Sequence, residues 1–236
     1  MQPLPPRAQL IDQVYQRLLD AICRRALAPG ERIGQEQLAE LLGVSRQPVS
    51  HALQILKQQG FVCDAGRRGL IVAPVDADYL RALYDVRAAL DGVAAGEAAR
   101  RVQTGGAEPE TARLVTRGRA ILAEGKAAGA AGERVALAEA DVAFHDVINT
   151  LSGNPVILEI SRQQWGHIRR AIDAVLDDPD VRRRLWDEHE AILEAVVRGD
   201  AKAAKRLARD HARSAGEQTW KRLACQPKEP QEGAAA

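Results

Sequence analysis

In the first quarter of the chain, apolar residues recur at helical spacing in three short stretches. Ile11, Val14, Tyr15, Leu18, Leu19 and Ile22 share one face of a helix that stops before Pro29-Gly30. Leu38, Leu41 and Leu42 mark a second, short helix ended by Gly43, with Val44 in the turn after it. Ser45 is placed to cap a third helix, its hydroxyl accepting a hydrogen bond from a free first-turn amide. Pro48 is tolerated there because first-turn amides have no helical partner. Val49, Ala52, Leu53 and Leu56 give this helix a buried face, leaving Arg46, Gln47, Ser50, Gln54 and Lys57 outside and His51 near the border. After Gly60 the pattern shortens. Phe61-Val62-Cys63 and Leu70-Ile71-Val72 flank Gly66-Arg67-Arg68-Gly69, which predicts a β-hairpin with a glycine-bounded basic tip. Three helices and a hairpin in this order predict a winged helix-turn-helix.

Helical spacing resumes after Ala73-Pro74-Val75-Asp76, is broken at Gly125 to Gly132, which reads as a loop, and is lost in the tail after Cys225. The predicted fold is mainly α, with a winged helix-turn-helix over residues 1–75 and an all-α antiparallel helical bundle over 76–225. Residues 226–236 form a disordered tail. The chain has 236 residues, 46% of them hydrophobic, which is enough for two cores. Only 3% are aromatic, and a core of Ala, Leu, Val and Ile suits packed helices and excludes an all-β fold. Cys23, Cys63 and Cys225 are odd in number and far apart, against a disulfide framework or a cysteine zinc knuckle. No apolar run approaches the roughly 18 residues of a membrane span, and the start has no secretory pattern. The expectation is a soluble cytoplasmic protein.

A formal net charge of +1 excludes any partner chosen by overall charge. Residues 1–75 carry nine basic and six acidic side chains, so +3 sits there and −2 on the rest. The third helix offers Ser45, Arg46, Gln47, Ser50 and His51 to base edges and phosphates, and the wing tip adds Arg67, Arg68 and Gly69. The competing reading is an interaction module with a solvated polar face. Turn, cap and wing occurring together in order favour double-stranded DNA.

The stretch PGERIGQEQLAELLGVSRQPVSHALQILKQQGFV, with RRGLIVAPV after it, resembles the DNA-binding domain of GntR-family bacterial transcriptional regulators over Leu10 to Val75. Ser50-His51 stands where that family has Arg-Glu, so one of its DNA contacts is missing. From about Asp78 to Gln218 the chain resembles the FCD effector domain of the FadR-like subfamily, through DVRAALDGVAA, DVAFHDVINTLSGNPVI and DEHEAILEAVVRGDAKAAKRLARDHARSA. Asp91 replaces that pattern's usual glutamate.

The residues themselves also point to a metal. Asp141 and His145, four apart on a helical pattern, project from one face and can hold one cation together. His189 and His211 lie ten and eleven residues from the break at Gly199-Asp200, so an antiparallel helix pair sets them level, about 15 Å from the turn. One carboxylate and three imidazoles suit a divalent ion, zinc first among Zn, Ni, Mn and Fe. The resemblance implies the same four ligands. It further implies a small organic acid as effector. Arg87, matching the family's arginine, is a candidate carboxylate partner because its planar fork can bond bidentately, and Asn154 and Arg162 are further pocket candidates. Arg87 can equally pair with Asp91, four residues on. His167 reads as structural, and Trp165 and Trp186 read as core residues, with the alternative that one of them lines the pocket. The resemblance implies a homodimer on a pseudo-palindromic operator, acting as a repressor and not as an enzyme. Two other readings stay open, a metal-dependent enzyme on a small acid and a regulator whose signal is the metal itself.

Overall fold

The computed structural model describes residues 7–66, 69–105, 108–176 and 178–224, which divide into two compact units at Val75/Asp76. The wing arginines Arg67 and Arg68 and the tail after Ala224 lie outside the described residues.

In the first unit, α1 (Arg7–Cys23), α2 (Gln35–Leu42) and α3 (Arg46–Gln58) pack around one core, followed by β1 (Val62–Asp64) and β2 (Leu70–Val72). Val14, Leu18 and Ile22 of α1 meet Val49, Leu53 and Leu56 of α3, with Leu38, Phe61 and Val72 closing the cluster. Two details depart from expectation. Leu41 is 79% exposed, because α2 turns only its Leu38 and Ala39 side inward. Ser45 holds the N-cap position of α3 in extended conformation, but its hydroxyl makes no capping bond. The strands pair antiparallel, with Val62 opposite Val72 and Asp64 opposite Leu70. The loop before α2 adds a third edge that the sequence pattern does not announce: Arg32 bridges Ile71, and the Ile33 amide donates to the Leu70 carbonyl at 2.8 Å.

The second unit holds α4 (Ala77–Gly105), α5 (Pro109–Ala131), α6 (Arg134–Leu151), α7 (Pro155–Val175), α8 (Pro179–Val197) and α9 (Ala201–Ala224). The expected loop at Gly125 to Gly132 is instead the last two turns of α5, and only Gly132, at φ 73°, ends it. The alanines that fill this stretch are strong helix formers and keep it helical. Gly125 provides room, since a Cβ there would lie 2.1 Å from the buried Trp186 ring. Helix α4 runs antiparallel along α9, since Gly216 faces Tyr84, Gly92 faces the Lys205 carbonyl and Gly96 faces that of Ala201. At Gly92 a Cβ would come within 3.2 Å of that carbonyl, so the missing side chain lets the two backbones approach. The start of α4 is capped by Asp76, whose carboxylate accepts from the Asp78 and Tyr79 amides. Leu137, Phe144, Ile168, Trp186 and Ile192 fill the core with a large share of alanine. Among the described residues no helix is long and apolar enough to cross a membrane.

Candidate functional site

Inside this alanine-rich core lies a group of charged and polar side chains that are nearly inaccessible: Arg87, Asp91, Asp141, His145, His189 and His211. Each is placed by helical spacing. Asp141 and His145 stand one turn apart on α6, Arg87 and Asp91 one turn apart on α4, and the α8–α9 turn brings His189 and His211 to one level. The Nε2 atoms of His189 and His211 are 3.2 Å apart. One ring nitrogen from each of His145, His189 and His211 lies within 4.8 Å of the other two. Asp141 Oδ1 is 3.4 Å from His189 Nε2 and 3.9 Å from His145 Nε2. Neighbouring ligands on an ion with bonds of about 2.1 Å stand roughly 3.0 to 3.4 Å apart. The His189–His211 and His189–Asp141 spacings meet that requirement. His145 stands slightly farther off, and its Nε2 is engaged at 2.6 Å by Arg87 Nη2.

The surroundings leave these groups in forms that could serve as ligands. Burial first, then the Arg87 charge and the neighbouring imidazoles, holds His145 well below its usual pKa. His189 is lowered in the same way, by burial, His211 and Arg87. Both therefore offer neutral rings, the form a cation needs. Burial raises the pKa of Asp141 and of Asp91, and the Arg87 charge opposes it in both. For Arg87 burial works against the cation, but Asp91, Tyr84 and Asp141 outweigh it and the pKa is raised. Arg87 donates from Nε to Asp91 at 3.0 Å, and its guanidinium lies over the Trp165 ring, 4.7 Å from the centroid. His211 Nδ1 is 2.7 Å from Glu188, which fixes the tautomer with N–H toward the carboxylate and leaves Nε2 facing His189. The His189 ring is stacked on Phe144, with Trp186 edge-on to it.

Other expected residues are engaged elsewhere. The Asn154 carboxamide caps α7, accepting from the Val156 and Ile157 amides. Arg162 is exposed and bonds Asp146 at 2.8 Å. His167 packs its ring against Tyr79. In the first unit Arg46, Gln47 and His51 are exposed at the start of α3, while Ser50 is half-buried, reversing the order expected for Ser50 and His51. Arg46 is bonded to Glu36, and the two line an open groove with Arg32 and Gly34. Gly69 follows the wing tip at φ 75°.

Sequence reasoning missed Glu188 and Asn149. Asn149 continues the Asp141–His145 stripe by one more turn, which a search for buried amides on that face would have flagged. Glu188 precedes a ligand-type histidine and has no signal of its own.

Comparison with known proteins gives a consistent result. The family profile described as FCD domain matches residues 82–214, and that of the bacterial regulatory proteins, gntR family, matches residues 10–72. An HTH-type transcriptional regulator in an unstable DNA locus of Streptomyces ambofaciens is 28% identical over 213 residues, 85% of this chain and 81% of that protein. The Nta operon transcriptional regulator of Aminobacter aminovorans is 34% identical over 145 residues, 61% of this chain and 64% of that one. Among solved structures, Escherichia coli McbR/YncC superposes with a TM-score of 0.76 at 20% identity, over 91% of this chain and 98% of that one, a likeness of fold.

Proposed function

Because the chain belongs to the GntR family of bacterial regulatory proteins that carry an FCD domain, it is a DNA-binding transcriptional regulator, and we propose that its helical unit receives a small carboxylic acid anchored on a divalent metal. The observation that carries this reading is the Arg87 guanidinium on the lone pair of His145 Nε2. An ion taking that lone pair displaces Arg87, and a divalent ion beside Arg87 exceeds the buried Asp91 and Asp141 carboxylates by one positive charge, which a bound anion would balance. A carboxylate meets that need, because the planar fork of Arg87 can bond it bidentately.

Asp141, His145, His189 and His211 would hold the ion, with Glu188 fixing the His211 ring. Three imidazoles and one carboxylate put zinc ahead of nickel, manganese and iron, and the bound ion would supply a Lewis-acid anchor for the acid's oxygen. Arg46, Gln47, His51 and the Ser45 end of α3, with Ser50 and the wing residues Arg67, Arg68 and Gly69, would meet a pseudo-palindromic operator as a homodimer, one α3 per half-site. Acid binding would then relieve repression, to the extent that the acid distinguishes the DNA-bound from the free state.

The test is fluorescence anisotropy of the zinc-loaded full chain, at fixed salt, on a duplex selected from random sequence. Small acids that bind the protein should release the duplex. Undiminished operator affinity with a bound acid would overturn the reading, and release by chelator alone would make the metal the signal.

A further inference from the structure

Among the described residues, buried polar atoms without a partner are Thr111 Oγ1, Asn149 Nδ2, Trp165 Nε1, Trp186 Nε1 and His189 Nδ1, and all but the first belong to residues on or beside the histidine cluster. His189 Nδ1 belongs to a candidate ligand, and Trp186 edges that same ring and fills the space over Gly125. Asn149 and Trp165 have no such role. Asn149, 2% exposed, sits one turn beyond His145 on the α6 stripe that begins at Asp141, so about 6 Å farther along the helix at the usual rise. The Trp165 indole, from α7, lies 5.3 Å from the His145 ring and under the Arg87 guanidinium.

Both groups offer N–H and neither atom can accept. Arg87 likewise offers only donors. Side chains that carry N–H donors thus come from three helices near His145, Arg87 from α4, Asn149 from α6 and Trp165 from α7, and the other two expected pocket residues, Asn154 and Arg162, are spent on α7 and Asp146. Donors buried without acceptors are unfavourable and call for a partner that carries them. A monocarboxylate satisfies Arg87 and an ion at one end and turns a hydrocarbon toward the remaining N–H groups. A short dicarboxylate satisfies both ends, and its carboxyl groups are separated by a distance comparable to one helical turn.

We propose that Asn149 and Trp165 form a second donor subsite beyond Arg87, so that the acid recognised here is a short dicarboxylate. This rests on the metal-anchored acid reading above. Water held on the two N–H groups would be displaced by the distal carboxylate, whose oxygens replace its bonds.

The experiment is isothermal titration of the zinc-loaded full chain with malonate, succinate and glutarate, each against the monocarboxylate of equal carbon count, propionate, butyrate and valerate. At least one dicarboxylate should bind ten times more tightly than its match. Asn149→Leu, near-isosteric and without N–H, should cut that ratio to threefold or less. Trp165→Phe keeps an aromatic ring and removes the indole N–H, and it carries the test if the Asn149 variant fails to fold. Zinc content, measured on the same samples, reports whether the histidine centre is intact. Equal binding of both series, or a preference that survives in both variants, overturns the second subsite and leaves the metal-anchored acid standing. No binding of either series to zinc-loaded protein overturns both.

Discussion

A buried imidazole must give up its proton or be matched by an opposite charge, and His145 and His189 do the first. Their folded-state pKa values lie below the usual 6.5, whereas the unfolded chain takes up these protons near that value. The stabilisation is therefore complete above about pH 6.5 and is lost as pH falls through the depressed folded values. Asp91 and Asp141, raised by burial, act in the opposite sense, losing their contribution as pH rises. A difference separates the two: melts of metal-free wild type between pH 7.5 and 5.5 should decline more than those of metal-free His145→Gln. Equal declines would mean that His145 takes its proton in the folded protein. His211→Ala should lower bound zinc, read by elemental analysis, and lower the Tm of zinc-loaded protein; unchanged stoichiometry would remove His211 from the site. In the first unit, Arg46→Ala should weaken binding to the selected operator by about 1 to 3 kcal/mol if it makes a bidentate base contact. An equal loss on scrambled DNA would assign it to phosphate.

At the scale of elements, helix α5 shows two opposing effects at one glycine. Alanine at position 125 would gain roughly 1 kcal/mol of helix preference. Its Cβ would also meet the Trp186 ring at 2.1 Å, and that ring is fully buried. Overpacking of this kind costs about 1 to 3 kcal/mol, so Gly125→Ala should be destabilising by around 1 kcal/mol in a urea titration; a stabilised variant would mean that Trp186 can move aside. The same glycine explains where the sequence misleads. Gly125, Gly129 and Gly132 look like punctuation, but two of them lie inside α5 against Trp186, a partner some 60 positions away that no local pattern reveals. Asp141, His145, His189 and His211 were legible because helical spacing alone places them. The α3 core was legible for the same reason. No helical spacing supported Asn154 and Arg162 as pocket residues: Asn154 is spent on capping α7 amides two and three residues on, and Arg162 on Asp146 from the preceding helix. The edge contributed by Arg32 likewise needs the hairpin already in place.

For the whole molecule, division into two units would confine a metal held by the histidine cluster to one of them. Scanning calorimetry of the full chain with and without zinc should therefore move the unfolding of the helical unit and leave that of the winged unit in place; equal movement of both would show that they unfold together. Arg87 adds a consequence for how the protein responds to its surroundings. Its guanidinium holds the nitrogen that an ion would take, so the ion must evict a positive charge, and an acid that gives Arg87 a new partner makes that eviction easier. By thermodynamic reciprocity, the factor by which acid tightens metal binding equals the factor by which metal tightens acid binding. If both bind as proposed, neither signal alone would fill the centre at low concentration, and the protein would work as a coincidence detector, registering acid and metal together.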